Sequence, residues 1–284
     1  MNRPALSVRD LVVIVHGRDG SRRIVDKVGF DLAPGKVLGL VGESGSGKST
    51  IAKALLGLLQ ADLYSVRAGS MSFGQTNLAA LTEKGWRKIR GREISMVFQE
   101  PLTCLDPVFT VGQQLGAVLR RHRQFSRREA RDAAAHLLGT IGFADAFDLL
   151  TRYPHQLSGG MRQRIMLAMA MGCEPAVLIA DEPTSALDVS TQAQVLTQLT
   201  APQLTVLGRE RQTAILLITH DLGVVAQYCD HALVIQDGKI IEAAPVRRLF
   251  EAPAQPYTRS LLAAVPTVST RRHRRSPRAP ADKR

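Results

Sequence analysis

An α/β fold with a parallel sheet covered by helices on both faces is predicted by three observations. The first is the stretch Gly42-Glu43-Ser44-Gly45-Ser46-Gly47-Lys48-Ser49-Thr50, which fits the phosphate-binding pattern G-x-x-x-x-G-K-[ST]. It stands between a short apolar run, Lys36–Val41 (KVLGLV), and a run of helical apolar spacing, Ile51–Leu59. The second is a pair of continuous apolar runs, Ala176–Ala180 (AVLIA) and Ala214–Thr219 (AILLIT), separated by a helical stretch. Strands that alternate with helices and lack a polar face belong to parallel sheets buried on both sides. The third is bulk: 284 residues, 45% hydrophobic and 22% charged, suffice for one large core or a core with an inserted subdomain.

In chain order, Leu6–Val15 and Ile24–Leu32 read as two strands joined by a polar turn, His16–Arg23. Pro34-Gly35 then turns the chain into the strand before the phosphate loop. Gly69–Phe73 reads as a further short strand, with a polar stretch to Arg92. Ile94–Phe98 (ISMVF) is apolar and bounded by charge, a buried strand that ends at Gln99. From Thr103 to about Tyr153 the pattern is helical. There Ser126-x-x-Glu129 forms a capping box, with Ala130, Ala134, Leu137, Leu138 and Ile141 on one face. This segment reads as an inserted helical subdomain. His231–Gln236 and Lys239–Ala243 flank Asp237-Gly238, a two-residue hairpin signal. No internal repeat is evident, so one nucleotide-binding unit is expected.

Several classes are excluded by composition. No apolar run approaches the ~18 residues of a membrane span, and the opening MNRPALSVRD lacks the apolar core of a signal peptide. Cys104, Cys173 and Cys229 lie far apart without metal-like spacing, as ordinary buried thiols of a reducing cytosol do. Half of the net charge of +12 sits from Thr267 onward, where seven basic residues face Asp282 alone. This Pro- and Arg-rich tail reads as a solvated, disordered segment. Alternatively it is drawn to an anionic inner leaflet, at about 1 kcal/mol per basic residue near the surface. No folded basic face or aromatic stacking motif supports nucleic acid as a partner.

The chemistry of the phosphate loop follows from its residue types. Gly42, Gly45 and Gly47 let backbone N–H groups approach a phosphate, with Ser44, Ser46 and Thr50 completing the cradle. The helix that follows turns its unpaired N–H groups and positive dipole end to the same anion. Lys48 is expected to reach the terminal phosphates and the Ser49 hydroxyl to ligate Mg²⁺. A merely flexible Gly/Ser loop would need neither the strand before it nor the helix after it.

Asp181-Glu182 closes the apolar run AVLIA, and ligands of open parallel sheets bind at such strand ends. Asp181 is expected to hold Mg²⁺, directly or through water, and Glu182 to polarise the water that attacks the γ-phosphate. Alone, the pair would also read as charge at a helix N-terminus. Leu157-Ser158-Gly159-Gly160-Met161-Arg162-Gln163 opens a further helix, with Ser158 as N-cap and two glycines leaving the N–H groups open. One nucleotide rarely needs two such helix ends from one chain. An economical geometry sandwiches ATP between the phosphate loop of one subunit and this segment of another.

Together these residues resemble the ATP-binding subunit of an ABC transporter. GESGSGKST resembles the Walker A motif, LSGGMRQR the family signature, and AVLIADEP the Walker B strand with its catalytic glutamate. SALD (Ser185–Asp188) resembles the D-loop, Gln99 in VFQEP the Q-loop residue, and His220 in LLITHD the switch histidine. Unaided, His220 reads more readily as a buried turn residue, and Gln99 as a polar strand end. The resemblance implies a RecA-like P-loop NTPase core with an antiparallel β subdomain and an inserted helical subdomain. Its implied bounds are a nucleotide-binding domain over 1–250, with the helical part about 103–165. A family-specific extension over 251–266 and a basic tail over 267–284 follow. It also implies that Gln99 ligates Mg²⁺, that His220 hydrogen-bonds the γ-phosphate, and that Ser158, Gly159, Gly160 and Asp188 help to hold ATP. The aromatic residue that usually stacks on adenine is not evident; in Val15-His16-Gly17, His16 is the candidate.

Val246–Pro266 (VRRLFEAPAQPYTRSLLAAVP) is similar to the segment that follows the core in oligopeptide, dipeptide and nickel importer ATPases. Many of those continue into a cysteine-rich stretch that can hold an iron–sulfur cluster. Here no cysteine follows Cys229, so none is expected. The resemblance implies a peripheral ATPase on the cytoplasmic face of a bacterial inner membrane. Its partners are a paralogous or identical ATP-binding subunit, two membrane permease subunits and, indirectly, an extracytoplasmic solute-binding protein. Peptide is the first expectation for the solute, and nickel or a metal chelate the second. The rival is a soluble ABC-type ATPase acting on DNA or ribosomes, which usually carries coiled-coil or zinc insertions or two cassettes; a regulatory module without turnover is the third.

Overall fold

The computed structural model describes residues 4–18, 20–98, 104–185, 189–200 and 212–264. Gln99, Asp188 and the Arg-rich tail from Thr267 lie outside the described residues.

The strands are β1 (Leu6–Gly17), β2 (Gly20–Leu32), β3 (Val37–Val41), β4 (Tyr64–Arg67), β5 (Ser70–Phe73), β6 (Thr76–Asn77), β7 (Ile94–Val97), β8 (Val177–Asp181), β9 (Ala214–Thr219), β10 (His231–Gln236) and β11 (Lys239–Pro245). The helices are α1 (Lys48–Leu55), α2 (Glu83–Ile89), α3 (Val111–Arg123), α4 (Arg127–Thr140), α5 (Ala146–Leu149), α6 (Gly159–Met171), α7 (Val189–Thr200), α8 (Leu222–Tyr228), α9 (Val246–Glu251) and α10 (Pro256–Ala263). They build two sheets. A six-stranded sheet has the order β11-β10-β3-β9-β8-β7, parallel throughout except for the β10–β11 hairpin at its edge. A five-stranded antiparallel sheet has the order β2-β1-β5-β6, with β4 also paired to β1.

Every residue of β3, β7, β8 and β9 is buried, the pattern that the unbroken apolar runs predict for a sheet covered on both faces. One face packs on α1 and the antiparallel sheet, through Leu40, Ile51, Leu55, Ile179 and Leu216. The other packs on the helical elements, through Leu178, Leu217, Ile165, Leu167 and Leu196. The helical expectation holds in α3, α4 and α5, and the Ser126–Glu129 capping box is formed in both directions. A second capping box, Thr110 with Gln113, opens α3. Helix α6 runs unbroken past residue 165 to Met171.

Three elements depart from the sequence reading. The polar segment His16–Arg23 is mostly strand, because pairing continues through His16↔Ser21 to Gly17↔Gly20. β4 was not predicted: it is four residues long and only half-buried to exposed, and its order comes from pairing with Val12–Val15. Helix α1 stops at Leu55 rather than Leu59. Gly57 there takes a left-handed φ of +59°, and its N–H bonds Ala54 O at 3.0 Å.

Candidate functional site

The phosphate loop leaves the buried strand β3 at Gly42 and enters α1 at Lys48. Geometry favours glycine at Gly42, at Gly47 and at Gly45, whose φ is +80°. A Cβ on Gly42 would stand 2.2 Å from Ile235 O, so a side chain there would push the loop off β10. Gly47, the N-cap of α1, has a φ of +104°, and a Cβ would stand 3.0 Å from Ile24 O. The loop is also held from outside: Gly238 of the Asp237-Gly238 hairpin donates to Ser46 O at 3.1 Å and accepts from Asp26 N at 2.8 Å. The sequence marks that turn as a hairpin but gives no sign that it braces the loop.

Within this frame Lys48 folds back over the loop. Its Nζ donates to Gly42 O at 2.8 Å and Glu43 O at 2.7 Å, and burial lowers its pKa despite Glu182, Asp181 and Glu43 nearby. Ser44 and Gly45 are exposed, and Ser49 and Thr50 are partly buried in the first turn of α1. The Ser46 hydroxyl is buried without a hydrogen-bond partner among the described residues. A buried polar atom left unpaired costs roughly 1–3 kcal/mol. Beside a row of open N–H groups it suits an anion's oxygen.

The acidic pair stands at the end of β8, next to β9. Asp181 is 3% exposed and accepts a hydrogen bond from Ser49 Oγ at 3.1 Å. Burial holds its carboxyl above the usual carboxylate range, which the Ser49 bond and the Lys53 and Lys48 charges only partly oppose. A desolvated carboxylate beside a serine hydroxyl is the hard oxygen pair that suits Mg²⁺, which takes one or two protein ligands and completes its shell with phosphate and water. No group of three or more His, Cys, Asp or Glu able to hold a metal occurs among the described residues. Glu182, the next residue, has a φ of +45° yet keeps its backbone bond to Ile218 O at 2.9 Å. A left-handed non-glycine residue stores on the order of 1–3 kcal/mol, and such strain clusters at functional sites. Its Oε1 accepts from His220 Nδ1 at 3.1 Å, and the carboxylate acceptor assigns the hydrogen to Nδ1. Asp221 is occupied as the N-cap of α8, accepting from Gly223 N at 2.7 Å.

Ser158 caps α6, its Oγ accepting from Met161 N at 3.3 Å. A methyl on Gly159 would meet nothing within 4 Å, so the surface over this helix end is open. Helix α6 packs on β7, α3, α4 and α7, whereas α1 packs on β1, β2 and β8. Among the described residues no hydrogen bond joins Ser158, Gly159 or Gly160 to the phosphate loop. Gln163, one turn into α6 and 1% exposed, donates from Nε2 to Pro183 O. That bond ties the signature helix to the segment leaving Glu182, a link that spacing in the sequence does not reveal.

His16 sits near the end of β1, paired with Ser21 of β2. Its neighbour Val15 pairs with Arg22 on β2 and with Tyr64 on β4. There His16 bridges Ser21 Oγ and Ser65 Oγ, both at 2.7 Å. Gln99 and Asp188 lie outside the described residues.

The family described as "ABC transporter" matches residues 25–185. The chain is 45% identical over 282 residues to the glutathione import ATP-binding protein GsiA of Salmonella typhimurium, covering 98% of the chain and 44% of GsiA. It thus spans less than half the length of that relative. It is 46% identical over 244 residues to the oligopeptide transport ATP-binding protein AppD of Bacillus subtilis, covering 86% of the chain and 73% of AppD. The dipeptide transport ATP-binding protein DppD of the same organism is 45% identical over 263 residues, covering 93% of the chain and 77% of DppD. Among solved structures, the ATP-binding cassette MJ0796, a dimer bound to ADP and Pi, has a TM-score of 0.73 at 23% identity, covering 85% of this chain and 99% of that one. That likeness shows the fold. CbiO1 from Clostridium perfringens, part of the transporter complex cbiONQ, has a TM-score of 0.69 at 27% identity, covering 87% and 90%.

Proposed function

The chain belongs to the ABC transporter family, and from that premise we propose that it is the ATP-hydrolysing subunit of a peptide importer. The observation that carries this reading is the convergence of Lys48, Ser49, Asp181, Glu182 and His220 at the adjoining ends of β3, β8 and β9. The import and transport names of its relatives favour a permease-bound ATPase over one acting on DNA or ribosomes. They also favour peptide over nickel or a metal chelate as the solute.

Lys48 exchanges its loop carbonyls for the β- and γ-phosphate oxygens of ATP, while the N–H groups of Gly45 to Thr50 cradle the phosphates. Ser49 and Asp181 would hold Mg²⁺, with Gln99 as a further ligand; the ion, when bound, neutralises charge on the transferring phosphoryl group. Glu182 accepts the proton of the attacking water through its carboxylate. His220 positions that carboxylate through Nδ1 and turns Nε2 to the γ-phosphate. His16, its ring nitrogens held by Ser21 and Ser65, is the candidate to lie against adenine.

Ser158, Gly159 and Gly160 act on the ATP held by a second ATP-binding subunit, identical or paralogous, with Asp188 at the same junction. ATP binds the closed pair better than the open one, and about 5.5 kcal/mol of such preference moves the equilibrium from 1:99 to 99:1. Hydrolysis removes the bridging γ-phosphate and the pair reopens. Membrane permease subunits dock on the helical insert of the 1–250 domain, where Val108, Phe109 and Phe147 are 69%, 48% and 55% exposed. The chain thereby sits at the cytoplasmic face of the membrane, and the tail from Thr267 adds attraction to anionic lipid. Among the described residues no helix is long and apolar enough to cross a membrane itself.

The test is ATP-dependent uptake of labelled di- and oligopeptides by membrane vesicles holding the assembled complex. The reading expects uptake that Glu182→Gln abolishes. Peptide uptake unaffected by that substitution, or recovery of the chain with ribosomes or DNA and no permease, would overturn it.

A further inference from the structure

The segment after the sheet returns to the phosphate loop. Glu242 of β11 clips it: Oε1 accepts from Ala254 N at 2.8 Å and Oε2 from Gln255 N at 3.0 Å. Pro256 then opens α10 at the first turn, where its missing N–H costs nothing. Thr258 is 1% exposed, and Tyr257, Leu261 and Leu262 pack on the cluster of Val41, Leu222, Val225 and Leu249. This packing aims the Tyr257 hydroxyl at the loop, where it accepts from Glu43 N at 3.3 Å. Leu261 and Ala264 also wall a cavity of about 430 Å³ whose other side is Gly42, Glu43, His220 and Asp221.

Two bonds therefore converge on one peptide unit. The carbonyl of the Gly42–Glu43 peptide accepts from Lys48, and its N–H donates to Tyr257. A peptide plane held at both poles cannot rotate about its flanking bonds, so the carbonyl that parks Lys48 keeps its direction. With the N–H pole free, the plane can tip, and the first turn of the loop must be ordered when the nucleotide arrives. Ordering deferred to the binding step is subtracted from affinity.

We infer that Tyr257 is a positioning residue for the ATP site, through which the extension after the core sets the resting geometry of the phosphate loop. The inference rests on the reading of this loop as an ATP site. Its test compares wild type, Tyr257→Phe and Lys48→Ala as full chains, by calorimetric titration of ATP and by hydrogen exchange at the Glu43 amide. Tyr257→Phe keeps the ring packing and removes only the hydroxyl, which meets Glu43. The expected result is a Kd for ATP raised roughly three- to tenfold. The Glu43 amide should exchange faster while the amides of β11 and α9 keep their protection and the melting temperature is unchanged. An unaltered Kd in Tyr257→Phe, with binding weakened in Lys48→Ala, would overturn the role of Tyr257 and leave the ATP site standing. Equal ATP affinity in wild type and Lys48→Ala would overturn the ATP site itself, and the inference with it.

Discussion

Glu182 Oε1 lies 3.1 Å from His220 Nδ1, across the ends of two adjacent parallel strands. A backbone bond from Glu182 N to Ile218 O ties the same two strands one step earlier. A left-handed φ at Glu182 turns its side chain out of the strand direction. The carboxylate is thus placed by strand pairing, backbone strain and one imidazole.

Glu182→Gln keeps the size and backbone demand of the residue and removes the carboxylate. Turnover should fall roughly 10²- to 10⁴-fold, the usual worth of a positioned general base, with ATP binding retained. Phosphate release checks the first expectation and calorimetry the second. A wild-type rate would remove Glu182 from the base role. His220→Ala should lower turnover without loss of fold, because the ring is 63% exposed and buries little.

Lys48→Ala should weaken ATP binding about 10- to 100-fold, since hydrogen bonds to a charged group contribute about 1.5–3 kcal/mol. Calorimetry at fixed salt reads this directly. Unchanged affinity would contradict the phosphate-loop assignment.

Asp181→Asn should separate stability from function. Because burial raises the folded pKa of Asp181, folding favours its protonated form. The stability from this group is present below the ordinary carboxylate value and is lost as pH rises through the raised one. At neutral pH, without nucleotide, Asp181→Asn should therefore melt higher than wild type, and the gap should close below the ordinary carboxylate range. Hydrolysis should be lost at the same time. A variant that melts lower at neutral pH would contradict the desolvation account.

Burial pushes the Cys229 thiol up to about 12 and the Cys173 thiol up to about 11, and both are free. Thiolate is the reactive form, so both should resist iodoacetamide at pH 8 in the native protein and label after unfolding. Mass spectrometry of the alkylated chain checks this, and rapid native labelling of either would contradict the upward shift of their thiols.

What was legible in the sequence was local or periodic. The runs AVLIA and AILLIT show their double burial because no polar residue interrupts them, and Ser126 with Glu129 marks a helix start within four residues. Features set by distant partners were not legible. The end of α1 depends on how Gly57 packs against Trp86, and β4 exists because β1 pairs with it. Gln163 meets Pro183, and Tyr257 meets Glu43, only once the sheet is assembled.

The central claim is that each ATP is gripped by two chains, one offering Lys48 and the other Ser158 with its glycines. The most direct measurement is ATP turnover by the assembled complex with Ser158→Arg and Gly160→Leu in every ATP-binding subunit, beside ATP binding by the isolated chain. The expected result is unchanged binding to the isolated chain with turnover lost. Turnover at the wild-type rate would contradict the shared site.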